Sequence, residues 1–293
     1  MLPLAVHRSR SQIPDFKLLR PRDLAEARAM LAADAATVPF AGGIDLVNRM
    51  KEGVARILPA PTLMMLSGIA GLDTVKYAAA DHAIEIGAMA RHDDVATSEM
   101  VRANLPDLAA CWDRIANIRI RMQGTVAGNL LAGMPGYEGP GLLSALGASL
   151  SYWRNGSLAV AAVSELHGPD GSTRFSGLVT GVRVPLPAPG VTRHLVYDRS
   201  LRPALSVALQ LDRADDVAIS ARAVLGGCHD WPVTCELTLQ GTALSKVIGS
   251  ADDIAQHAFK GVPPMTVPWF GSPRYRERVA PVVLARLLRG VAR

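Results

Sequence analysis

Two glycine turns constrain this chain more than anything else in its sequence. The first is Ala41-Gly42-Gly43-Ile44-Asp45, entered from the apolar stretch Val38-Pro39-Phe40. The second is Gly124-Thr125-Val126-Ala127-Gly128-Asn129, entered from the segment Ile115 to Arg121. Glycine has no Cβ, so backbone N–H groups at such a turn can point straight at an anion, and a positive φ costs little. Residues 46–51 read as a helix, whose N-terminal dipole would add to an anion site at the first turn. Two separate N–H-rich turns suit a pyrophosphate spanning two lobes better than a single terminal phosphate.

The segments around the turns set the fold class. Residues 15–40 read strand, helix, strand, with Pro21 in a first helical turn and Leu24, Ala27 and Leu31 on one helix face. Thr37 to Ala41 is a short buried strand that delivers the first turn, and Leu63 to Leu66 is another, ended by Ser67-Gly68. Ala83 to Met89 alternates with Glu85 outward. A helix is predicted over Leu105 to Arg114, and a short one from Leu142, stopped by Gly147. The prolines of Val182 to Gly190 break regular structure and mark a boundary. Beyond it Ala204 to Leu211 and Val217 to Leu225 alternate like antiparallel strands, and Tyr275 to Leu288 has the 3.6-residue period of an amphipathic helix.

A chain of 293 residues is long enough for two domains with cores of their own. Aromatics make up only 5 %, so those cores must be built from Ala, Val, Leu, Ile and Met. The net charge of +5 invites a nucleic-acid reading. The basic residues are scattered, however, with no run interleaved with stacking aromatics, so no nucleic-acid partner is expected. Scattered arginines suit a subunit surface or an anionic cofactor. The N-terminus lacks a secretory pattern and no apolar stretch reaches the length of a membrane segment, so a cytoplasmic protein is expected. Cys111, Cys228 and Cys235 are odd in number and widely spaced, as reduced thiols are. Cys228-His229 with Cys235 lacks a fourth ligand and the paired spacing of zinc sites, so no metal is assigned. No catalytic residue is assigned either. There is no His-Glu-x-x-His and no Walker loop; His92 reads as a cap or hydrogen-bonding residue, and Asp93-Asp94 as helix-start caps.

The text around the turns resembles the FAD-binding medium subunit of the molybdenum hydroxylases, the group of xanthine dehydrogenase and aerobic carbon monoxide dehydrogenase. The family's first signature, Ala-Gly-Gly-x-[Asp/Ser]-Leu, is matched by Ala41 to Leu46 and runs on to Arg49-Met50-Lys51. Its second, Ile-Arg-x-x-Gly-Thr-[Ile/Val]-Gly-Gly-Asn, is matched by Ile120 to Asn129, with Ala127 in place of the first paired glycine. Leu66 to Leu72, Ile86 to His92 and Gly271 to Arg276 also look like family segments, so the likeness runs from about residue 15 to about residue 290. A segment usually written Asn-x-[Ser/Asp]-Pro-x-x-Asp is replaced by Ala132 to Glu138. Met134 has lost a polar group there, and Glu138 keeps the carboxylate, one methylene longer.

The resemblance implies an α+β protein. A two-lobed α/β FAD-binding domain of the PCMH type would cover residues 1–180, and a smaller C-terminal domain of antiparallel strands and helices residues 181–293. It implies non-covalent FAD held by Ala41, Gly42, Gly43, Ile44 and Asp45 at one turn and by Gly124, Thr125, Val126, Ala127, Gly128 and Asn129 at the other. Glu138 would sit near ribityl or ribose hydroxyls, and Tyr197 with Arg199 near the flavin ring. The implied function is transfer of electrons from [2Fe–2S] clusters to an external acceptor. The implied partners are a molybdopterin-binding large subunit and a small subunit with two [2Fe–2S] clusters, in a dimer of heterotrimers. Two other readings stay open: a stand-alone flavin oxidoreductase of the same fold, and a flavin-free scaffold subunit.

Overall fold

The computed structural model describes residues 13–52, 61–167, 176–200, 204–265 and 271–291. The first lobe holds β1 (Lys17–Leu19), α1 (Leu24–Ala33), β2 (Val38–Phe40), α2 (Ile44–Glu52) and β3 (Thr62–Met65). β3 lies between β1 and β2 in a parallel sheet, with Leu63 opposite Leu18 on one side and Val38 on the other. Parallel neighbours need crossover connections, and the helices supply them. Pro21 is not in the first helical turn as expected. Asp23 caps α1 instead, its carboxylate accepting the Glu26 N–H at 2.8 Å, and the helix opens one residue later.

The second lobe is an antiparallel sheet of β4 (Val75–Ala78), β5 (Ala83–Gly87), β6 (Ser149–Arg154), β7 (Ser157–Ala162) and β8 (Leu178–Pro185), in the order β4-β5-β8-β6-β7. Between β5 and β6 run α3 (His92–Thr97), α4 (Glu99–Asn104), α5 (Pro106–Asp113), α6 (Ile118–Arg121), α7 (Val126–Leu131) and α8 (Glu138–Ala145). Leu108, Trp112, Leu142 and Leu143 are buried from these helices against Ile84, Ile86, Val182 and Val184 of the sheet. Each such side chain contributes roughly 1.5–3 kcal/mol by leaving water. The short helix predicted from Leu142 starts earlier, at Glu138. Pro140 falls in its first turn, where a missing N–H costs nothing. Gly147, at φ +66°, lies just beyond its end.

The C-terminal part is a second antiparallel sheet, β9 (Thr192–Arg199), β10 (Ser206–Ala214), β11 (Val217–Gly226) and β12 (Val233–Leu237), ordered β12-β11-β10-β9. It is followed by α9 (Leu244–Gly249), α10 (Ala251–Ala258) and α11 (Pro273–Val291). The α+β class and the antiparallel C-terminal part are as the sequence led one to expect. The period-2 alternation of β10 sends Val207, Leu209 and Leu211 into a core shared with α11, and Ala208 into the core of the second lobe. Between the two sheets lies α8, whose residues Gly139 to Ala145 are all buried; it packs on β10 and β11 and on the turn at Val163–Glu165. A division between residues 180 and 181 would cut β8, which pairs with β5 on one side and β6 on the other. We place it in the irregular link at 186–191 instead.

Candidate functional site

β2 ends with the Phe40 carbonyl accepting the Leu66 N–H at 3.0 Å, and the chain then turns through Gly42 and Gly43 into α2. Gly43 has φ +75°, and a Cβ there would lie 2.7 Å from the Phe40 ring. A Cβ on Gly42 would lie 2.2 Å from the Gln123 carbonyl oxygen, in the second turn. Turn packed on turn, and backbone conformation, thus require these glycines, where the sequence had suggested clearance for an anion. The N–H groups of Gly43, Ile44, Asp45 and Leu46 are the four that a helix cannot satisfy from within. None of them, nor the N–H of Gly42, has an acceptor among the described residues. This row of free donors sits at the positive end of the α2 dipole. Asp45 does not spoil it. Arg49 Nε lies 2.7 Å from its carboxylate, which also accepts the Tyr137 hydroxyl at 3.3 Å. Burial and that carboxylate push the Tyr137 hydroxyl up to about 12.

The second turn is built differently. The Val126 N–H donates to the Ala90 carbonyl at 2.9 Å, Ala127 to Ala88 at 3.3 Å, and Gly128 to the Thr125 hydroxyl at 3.1 Å. The Gly124 carbonyl accepts the His92 N–H at 3.0 Å. The expectation of a second N–H-rich cradle is therefore corrected: the loop after β5 runs antiparallel to this turn and takes the donors of Val126 and Ala127, and Thr125 takes that of Gly128. Asn129 stays open, its Oδ1 buried without a hydrogen-bond partner among the described residues. Gly139 gives that oxygen room, since a Cβ there would stand 2.2 Å from it.

Between the turns lies a cavity of about 700 Å³. Of the residues selected from sequence, Ala41, Gly42, Gly43, Ile44, Asp45, Gly124, Thr125, Ala127, Gly128, Asn129, Glu138 and Arg199 line it, whereas Val126 and Tyr197 do not. Val126 is fully buried in the core beneath α7. Tyr197 packs against the same core two residues before the end of β9, and burial raises its hydroxyl pKa. Arg199, at the end of that strand, is long enough to reach Glu138, with Nη1 3.2 Å from Oε1. Burial raises the Glu138 carboxyl pKa, and Arg199 pulls it back.

His92, which the sequence pointed to as a cap or hydrogen-bonding residue, also lines the cavity. Arg91 is the N-cap of α3, and Asp94 takes the Arg91 N–H at 2.8 Å. The His92 ring lies 5.8 Å from that of Trp112, with Nδ1 buried and unpartnered. Burial, helped by the Arg121 charge, pushes His92 down to about 4. The signal that could have found it is Gly124: a Cβ there would lie 3.0 Å from the His92 ring, so the glycine makes space for an imidazole. Elsewhere Cys111, Cys228 and Cys235 are buried, and burial pushes their thiols up to about 11, 12 and 11. His229 Nε2 lies 3.1 Å from the Pro263 carbonyl oxygen. Among the described residues no group of three or more His, Cys, Asp or Glu could hold a metal ion, and no helix is long and apolar enough to cross a membrane.

Free backbone donors, the unpartnered Asn129 oxygen, the Glu138–Arg199 pair and apolar walls from Met89, Ile115, Ile120 and Leu178 share one cavity. That donor set fits a molecule with a diphosphate, hydroxyl groups and a flat ring. Residues 14–187 match the family model described as FAD binding domain in molybdopterin dehydrogenase. The chain belongs to that family. As a member of it, the protein is an FAD-binding medium subunit of the molybdenum hydroxylase type. It is 29 % identical to the carbon monoxide dehydrogenase medium chain of Afipia carboxidovorans, over 92 % of this chain and 94 % of that one. It is 26 % identical to the glyceraldehyde dehydrogenase medium chain of Sulfolobus acidocaldarius, over 95 % and 99 %. The solved structure of reconstituted CO dehydrogenase from Oligotropha carboxidovorans superposes with a TM-score of 0.81 at 27 % identity, covering 94 % of this chain and 97 % of that one. Quinoline 2-oxidoreductase from Pseudomonas putida 86 shares the fold, with a TM-score of 0.84 at 22 % identity over 96 % and 98 %.

Proposed function

We propose that this subunit carries electrons from the [2Fe–2S] clusters of a small subunit to an external acceptor, beside a molybdopterin-binding large subunit in a cytoplasmic dimer of heterotrimers. The observation that carries the reading is the row of free N–H groups from Gly42 to Leu46, opening on a cavity between two lobes. It is supported by the end-to-end likeness to dehydrogenase medium chains. Bound FAD supplies the exchange between one-electron and two-electron carriers.

The chain's own residues bind and orient. The N–H row holds the diphosphate, while Arg49 keeps Asp45 from repelling it. Asn129 and Glu138 take hydroxyl groups of the same cofactor. Arg199 places positive charge at the cavity through its contact with Glu138. Thr125, Ala127 and Gly128 form the wall that the second lobe presents.

The test is co-expression with candidate large and small subunits. The expected result is co-elution of three chains with stoichiometric non-covalent FAD, and negligible turnover of purines, aldehydes or N-heterocycles by this chain alone. Robust oxidation of such a substrate by the isolated chain would overturn the assignment.

A further inference from the structure

His92 is a buried polar group whose ring makes no hydrogen bond with the described residues. The residue is 2 % exposed and lines the cavity, with Trp112 on one side of its ring and the backbone of Gly124 on another. Buried N–H groups in native proteins nearly always have an acceptor, so an imidazole N–H that faces a ligand cavity with no acceptor among the described residues points to a group that arrives with the ligand. The two nitrogens differ. Nδ1 is sealed from solvent with no partner, whereas Nε2 is not sealed and makes no hydrogen bond with the described residues. The surroundings also settle the charge: burial and the nearby Arg121 guanidinium keep the ring neutral at physiological pH. A neutral imidazole has one N–H and one bare nitrogen. A sealed site leaves an unused acceptor more readily than an unused donor, so the proton belongs on Nε2, the nitrogen that remains open.

We infer that His92 contacts the bound FAD, donating a hydrogen bond from Nε2–H to one of its acceptor atoms. FAD is rich in such acceptors, in its ring system, its ribityl chain and its phosphates. Gly124 is what permits this. A Cβ at that position would lie 3.0 Å from the His92 Cδ2 and 3.4 Å from Nε2, displacing the ring from under the turn. Sequence alone hides the role, because a histidine opening a helix reads as part of its cap, and Arg91 with Asp94 perform that role here.

Three substitutions in the full chain separate a binding role from a packing role. Glutamine places an N–H near the position of Nε2, asparagine near that of Nδ1, and leucine offers none. FAD dissociation constants would be measured by flavin fluorescence on the deflavinated protein, with urea unfolding of the same flavin-free samples. His92→Gln is expected to bind FAD within about twofold of the parent, while His92→Asn and His92→Leu bind roughly three- to tenfold more weakly, as loss of one hydrogen bond dictates. Flavin-free stability at pH 7 should hold or rise in His92→Leu, because the sealed Nδ1 is gone. Should the leucine variant not fold, the glutamine and asparagine pair decides alone. Parent-like affinity in His92→Leu or His92→Asn would overturn the inference. So would equal loss in His92→Gln and His92→Asn, or a weakening that tracks lost flavin-free stability.

Discussion

At the first glycine turn the N–H groups of Gly42 to Leu46 meet no acceptor among the described residues, whereas at the second those of Val126, Ala127 and Gly128 are met by Ala90, Ala88 and Thr125. The two turns read alike as sequence. Their difference lies in what surrounds them. The first opens a nine-residue helix at the edge of a small sheet, and no described residue takes its donors. The second is sewn to the loop that leaves β5, so its short helix is held in place and has little left to offer an anion. In the function proposed above one turn is a receptor and the other a buttress, and a similar glycine pattern serves both.

The most damaging way to probe the pair is to force the turns apart. Gly42→Ala puts a methyl group where the Gln123 carbonyl oxygen now stands, 2.2 Å away, and backbone must shift to admit it. We expect a loss of about 3 kcal/mol in unfolding free energy, at the upper end for overpacking, together with loss of FAD from the purified protein. Parent-like stability and flavin content would mean the turns are not in contact.

Acid should weaken the buttress next. His92 is pushed down to about 4 from an ordinary 6.5. Between those values the unfolded chain binds more protons than the folded one, so stability is present above pH 6.5 and is lost progressively as the pH falls towards 4. The full shift corresponds to roughly 3 kcal/mol. Urea unfolding of flavin-free protein at stepped pH should show that slope in the parent and a flatter one in His92→Leu. Identical slopes would mean that His92 takes up protons as easily folded as unfolded.

The smallest effect is expected at the cap of the second turn. Thr125→Ala removes the hydroxyl that accepts the Gly128 N–H and should cost about 1 kcal/mol of stability. FAD affinity should stay within about twofold, since a buttress acts through shape. A large loss of affinity with unchanged stability would make the second turn a receptor after all.

How much of the molecule is legible in its sequence depends on how local each feature is. The strands and helices of the first lobe, and the long C-terminal helix, announce themselves by short-range pattern and are legible to within a few residues. The free donors of the first turn are legible too, because a helix start leaves its own N–H groups unpaired without help from elsewhere. The fate of the second turn's donors is not, since Ala88 and Ala90 come from a distant strand end that no local pattern ties to it. Tyr197 and Arg199 lie on the same face of β9, and only the tertiary position of the strand end decides that the arginine reaches the cavity while the tyrosine stays in the core. His92 needs the missing Cβ of a residue far along the chain, which is a fact of packing.

Helix α8 carries Glu138 into the cavity at one end and lies buried between two sheets along the rest of its length. One consequence concerns severability. The family match stops at residue 187, as if the flavin unit were a module that could be cut out and fused elsewhere. Cutting the chain there would strip one wall from a helix that has no solvent-facing side. It would also bare the apolar surface that Leu195, Ala208, Val224 and Trp231 share with the core of the second lobe. The cofactor site is thus not a cartridge in this fold. Arg199 at its mouth, and the strands β10 and β11 that support α8 behind it, come from the part of the chain that the match does not include.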